Sequence, residues 1–109
     1  MARDADRLVE HYRTDWERLF ARLPATENAR LRAKAEEAVW TIEASTAPAQ
    51  GLLTSGFLCA APTGYNKSQW LWDTCFAVRG YAAVGPERCR TWLAHFIQHQ
   101  REDGMLPGA

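Results

Sequence analysis

The stretch Tyr65-Asn66-Lys67-Ser68-Gln69-Trp70-Leu71-Trp72-Asp73-Thr74-Cys75-Phe76 gathers aromatic side chains around one carboxylate. These residue types suit carbohydrate. A pyranose ring offers an apolar CH face, which an indole covers, and a rim of hydroxyls, which an ionised carboxylate accepts from. Charge-assisted hydrogen bonds of that kind are worth about 1.5–3 kcal/mol each. Trp70 and Trp72, two apart, can wall a pocket, with Asp73 beside them as the hydroxyl acceptor. Each has a plainer role too. A carboxylate in a first helical turn interacts with the free N–H groups there, and a tryptophan near a helix often belongs to the core. Gln100 can reach a substrate or satisfy backbone groups at a helix end. Tyr65 enters as a candidate through its position next to the group.

Other constellations point away from chemistry. His95 and His99 have the i, i+4 spacing that can ligate a metal. No H-E-x-x-H and no third ligand accompany them, so they read as surface or interhelix histidines and no metal is expected. The glycines form no phosphate-binding loop. Ser55 and Ser68 lack the setting of a nucleophile elbow. Cys59, Cys75 and Cys89 are odd in number without C-x-x-C spacing, which speaks against a disulfide framework or zinc site. They read as buried, reduced thiols of a cytosolic protein. Thirteen basic residues balance thirteen acidic ones, so charge supplies no attraction to nucleic acid or an anionic membrane. The acidic N-terminus is no signal peptide, and no apolar run is long enough to span a bilayer. A soluble, cytoplasmic protein is expected.

At 109 residues the chain is at most one domain, and it can be part of one. Leu8, Val9, Tyr12, Trp16, Leu19, Phe20 and Leu23 recur at helical spacing, predicting a helix from about Asp4 to Leu23. Thr26 is the expected N-cap of a second helix running to about Ser45. From Thr46 to Lys67, Pro48, Gly51, Gly56, Pro62 and Gly64 indicate a long connection. Leu52, Leu53, Phe57 and Leu58 are expected there as a short strand or a loop that packs down. A third helix is predicted from Trp70–Asp73 to Val84. Pro86 suits the first turn of a fourth, along which Cys89, Trp92, Leu93, Phe96, Ile97 and Gln100 share one face. Asp103-Gly104 is expected to stop it, since Gly104 can take a positive φ. The chain thus divides into a helical hairpin over 1–45, a loop over 46–67, and a helix pair over 68–109.

Trp70, Trp72, Asp73, Thr74 and Phe76, followed by Gln100, Gly104, Met105, Leu106 and Pro107, fit W-x-W-D-(S/T/A)-x-F and then Q-x-x-x-G-M-(I/L)-P. In this order and spacing they resemble glycoside hydrolase family 63 and its relatives, the mannosylglycerate and glucosylglycerate hydrolases and, more distantly, the trehalases. The resemblance covers roughly residues 60–109. One departure is Gly108, where histidine often follows the proline in that group.

The resemblance implies an all-α fold, a partial (α/α)6 barrel or α/α toroid, with Trp70 opening an inner helix and Gln100 closing an outer one. It implies a sugar or oligosaccharide as partner, Asp73 holding hydroxyls on one side of the scissile bond, and hydrolysis of an α-glycosidic bond with inversion. In that mechanism one carboxylic acid protonates the leaving oxygen and a second carboxylate activates water. Both are expected downstream of the present sequence, so the chain is expected to be an N-terminal fragment, inactive alone and with exposed apolar edges. Glu87, Glu102 and Asp103 read as surface charges. Acid–base hydrolysis of this kind needs no cofactor. Two alternatives are a small helical protein–protein interaction module, whose aromatic face meets a partner, and a fragment of an α/α-toroid terpene cyclase or prenyltransferase, suggested by the Gln100–Gly104 segment. The hydrolase reading puts Asp73, Trp72 and Gln100 around one concave surface; the module reading lets them point apart.

Overall fold

The computed structural model describes residues 2–59 and 68–108. Its elements are α1 (Ala2–Ala21), α2 (Ala29–Ala44), β1 (Thr46–Ala47), β2 (Phe57–Leu58), α3 (Leu71–Tyr81) and α4 (Pro86–Gln98). The chain is mostly helical, as its periodicity predicts. The antiparallel pair, with Thr46 opposite Leu58 and Ala47 opposite Phe57, is the only sheet among the described residues.

Local chemistry accounts for the ends of these elements. Asn28, not Thr26, caps α2: its side-chain oxygen accepts from the Leu31 N–H at 3.0 Å. The Thr26 hydroxyl accepts instead from the Asn28 N–H at 3.2 Å, which steadies the capping residue. Pro86 stands at the start of α4, where its missing N–H costs nothing. Gly104 has φ +85° in the turn beyond α4, as expected for a residue without a Cβ.

The connection after α2 folds back on the helices. The Cys59 N–H donates to the Ser45 carbonyl at 2.8 Å, which extends the β1–β2 pairing to the end of α2. Gln50 and Leu53 exchange backbone hydrogen bonds of 2.9 and 3.0 Å around Gly51. Phe57, Leu58 and Cys59 are buried with Val39, Tyr81, Val84, Cys89 and Trp92. Tyr81 and Trp92 stack with ring centroids 5.8 Å apart, joining α3 to α4. The Tyr81 hydroxyl donates to Glu43 of α2, and Glu43 pairs with Arg88 of α4 at 3.2 Å.

Helix α1 is held by its C-terminal half. Trp16, Leu19, Phe20 and Leu23 pack against the core, whereas Leu8, Val9 and Tyr12 stay exposed. Arg22 Nη1 donates to the Val84 carbonyl and Arg32 Nη2 to the Phe20 carbonyl, at 2.9 and 2.8 Å. The radius of gyration, 16.2 Å, exceeds the roughly 13 Å of a compact chain of this length. The first face of α1 is therefore amphipathic in sequence and only half used in the fold. Ile97, expected on the shared apolar face of α4, is also exposed, one residue before the helix ends. No described helix is long and apolar enough to cross a membrane.

Two substitutions test this packing with opposite signs. A Cβ on Gly85 would stand 2.5 Å from Cε1 of Tyr81, whose ring is buried and pinned by Trp92 and Glu43. Gly85→Ala is expected to cost about 1–3 kcal/mol in urea unfolding. Thr74 is fully buried and its hydroxyl has no partner among the described residues. Thr74→Val keeps the branched shape and removes the unpaired group, so a gain of about 1 kcal/mol is expected. Loss of stability in the valine variant would show that the hydroxyl is paired.

Candidate functional site

The two motif segments meet at the start of α3. The Leu71 N–H, one of the donors that a helix leaves without an internal partner, donates to the Gly108 carbonyl at 2.9 Å. This bond draws the segment after α4 alongside Trp70, the N-cap of α3. Within that segment the Arg101 N–H donates to the Met105 carbonyl at 2.9 Å, and the Met105 N–H donates to Asp103 Oδ1 at 3.0 Å.

On the outer side of α3, Trp72 is 75% exposed and Phe76 62%. One helical turn apart, their rings are tilted against each other at a centroid separation of 5.3 Å. Asp73 is exposed and is paired with no other described side chain. The N-cap residue of α3, Trp70, makes no side-chain cap hydrogen bond, and Asp73 lies in the first turn, where a carboxylate is favoured by the helix dipole. Trp70 is partly exposed, at 38%. Gln100 is exposed, and its amide nitrogen donates to the Gly104 carbonyl, the helix-end role open to it from sequence. Tyr65 lies outside the described residues.

The inner side of the same region is polar in a different way. Gln69 and His95 are both buried. Gln69 Nε2 donates to the Trp92 carbonyl at 2.8 Å, which leaves Oε1 facing His95 Nδ1 at 2.9 Å. Since that oxygen can only accept, Nδ1 carries the proton. Nε2 is then the acceptor for the Ser55 hydroxyl, 2.9 Å away. A continuous chain, Ser55 to His95 to Gln69 to the Trp92 carbonyl, ties the connection after α2, the approach to α3 and the body of α4. His99 Nδ1 lies 2.7 Å from the His95 carbonyl and donates to it.

A cavity of about 530 Å³ opens beside this chain, between α4, the Gln50–Leu53 turn, Ser68–Gln69 and Pro107. Trp70, Trp72, Asp73 and Gln100 do not line it. The concave surface expected to unite them is therefore not this cavity, and the aromatic pair with its carboxylate stands on an open helical face. No group of three or more potential metal ligands comes together among the described residues. Cys59 and Cys89 are buried free thiols as expected; Cys75 is exposed, since it falls on the outer face of α3.

Sequence reasoning set His95 and Ser55 aside and missed Gln69. A signal was available for His95. It falls three residues after Trp92 and one before Phe96, on the buried stripe of α4, where an imidazole needs polar partners. Nothing in the local sequence places Ser55 or Gln69 opposite it.

Comparison with protein-family models, with curated proteins and with solved structures finds no match to this chain.

Burial, and secondarily His99, hold the protonation of His95 below that of an ordinary imidazole. The unfolded chain then takes up this proton more readily than the folded one. The stability from neutral His95 is full above the unfolded value near pH 6.5 and is lost as pH falls through the folded value. Urea unfolding between pH 7.5 and 5.5 should show stability declining with acid, and His95→Gln should flatten part of that slope. Equal slopes in the two proteins would mean that His95 does not control it.

Proposed function

We propose that this chain is the carbohydrate-binding part of a glycoside hydrolase built as an (α/α)6 barrel, acting in the cytoplasm on α-glycosidic bonds. The observation that carries the proposal is the first part of α3, where the Trp72–Phe76 ring pair and the Asp73 carboxylate are all exposed. Large aromatic side chains left in water cost burial energy, about 25 cal/mol for each Å² of apolar surface. An aromatic pair adjoining a free acceptor offers what a pyranose needs, a flat apolar support and an anchor for its hydroxyls.

The approach of the Gln100–Pro107 segment to the start of α3, through Leu71 and Gly108, supports the same reading, because both motifs then serve one end of a helix pair. In a barrel, inner helices meet further inner helices, and the open face of α3 would be completed by them. The acid and base of an inverting reaction belong, in this reading, to barrel helices other than these four. Asp73 binds and orients; it does not transfer the proton.

The interaction-module reading draws on a different observation, the exposed Leu8, Val9 and Tyr12 of α1 and Trp40 of α2. These lie away from the motif segments and are equally what a partial barrel leaves uncovered.

Titration with maltose or methyl α-D-mannopyranoside, followed through the indole N–H resonances, is expected to move the Trp72 signal saturably. Asp73→Asn should weaken binding at least tenfold, the lower end of what a charge-assisted bond contributes. Trp72→Ala should abolish it, with the unfolding midpoint of both variants near that of the parent because the positions are exposed. Saccharide binding that Asp73→Asn leaves unchanged, or no movement of Trp72 at millimolar sugar, would remove the basis of the proposal.

A further inference from the structure

The 530 Å³ cavity beside α4 has a chemistry of its own. Its walls are largely apolar, with Leu52 and Leu53 of the Gln50–Leu53 turn, Phe96 and Pro107 among the lining residues. Among the described residues no Asp, Glu, Lys or Arg lines it, so they offer an entering ion no counter-charge.

Gln50, Ser68, Gln69, His95 and His99 supply its polar groups. His99 spends Nδ1–H on the His95 carbonyl, 2.7 Å away. In the uncharged ring Nε2 is then an acceptor, and among the described residues it has no partner. His95 is closed off at both nitrogens, by Gln69 and by Ser55. Phe96, buried, and His99, half-buried, are three residues apart and both line the cavity. The cavity thus combines apolar contact with a few hydrogen-bonding groups, His99 among them as an acceptor.

We propose that it is a binding site for a small uncharged ring compound carrying a hydroxyl or N–H group, with the ring among Leu52, Leu53, Phe96 and Pro107 and the donor on His99 Nε2. The volume lies within the range of small-molecule sites. This site is distinct from the Trp72 face and does not depend on the saccharide reading.

Equilibrium dialysis at pH 8, where an ordinary imidazole is uncharged, compares 2-naphthol with 2-methoxynaphthalene, which has the same rings and no donor. The expected result is binding of 2-naphthol roughly fivefold tighter, the ratio that one neutral hydrogen bond gives. His99→Phe should bind the two equally. Leu52→Asp, at the exposed rim, should weaken both while leaving the unfolding midpoint near that of the parent. Should His99→Phe fail to fold, the naphthol pair with the parent protein and with Leu52→Asp still decides. The proposal is overturned if the parent binds neither compound, if it does not distinguish them, if His99→Phe still does, or if Leu52→Asp leaves both affinities unchanged.

Discussion

The Tyr81 side chain is where the helices are tied together. Its ring stacks on Trp92, its hydroxyl donates to Glu43, and its edge lies so close to Gly85 that a Cβ there would collide with it. One residue thereby binds α2, α3 and α4 and sets how tightly the chain can turn between the last two. Burial and the Glu43 carboxylate both favour the protonated phenol, pushing its ionisation well above the ordinary range. The phenol therefore keeps its proton, and can donate to Glu43, well into alkaline pH. The Phe57–Cys59 strand closes over this junction, and the C-terminal half of α1 packs at its side.

Around that junction the molecule has two unlike faces at the approach to α3. Gln69 turns inward to a buried chain of hydrogen bonds, and Trp72 turns outward with Phe76 and Asp73. The two are coupled through three residues of backbone. A buried amide held at both ends fixes the strand-like entry to α3, and with it the direction in which Trp70 and Trp72 leave the backbone. Buried polar groups that are fully paired favour one arrangement over its competitors. The pairing also makes the region sensitive to acid, since a proton on His95 removes the acceptor for Ser55.

Burial is unevenly distributed. The α3–α4 pair, the short strands and the end of α1 form a real core, whereas the first half of α1, Trp40 and the outside of α3 remain in water. A chain of this size hides only a modest share of its apolar surface.

The four helices were legible in the sequence because hydrophobic spacing repeats every three to four residues whatever lies nearby. The same holds for Pro86 and Gly104, whose backbone restrictions are local. The cap of α2 was misplaced by two residues because Thr26 and Asn28 are both good caps and only the path of the chain chooses between them. Trp72 and Asp73 were visible as a chemical pair, but their exposure was not, since an amphipathic pattern says which residues share a face and not whether anything covers it. Leu8 and Trp16 share such a face, and only Trp16 is packed. The Ser55–His95–Gln69 chain and the cavity beside it belong wholly to the tertiary structure: they join residues 40 and 26 positions apart, and hydrogen bonds across such separations follow from how helices dock, which no local pattern records.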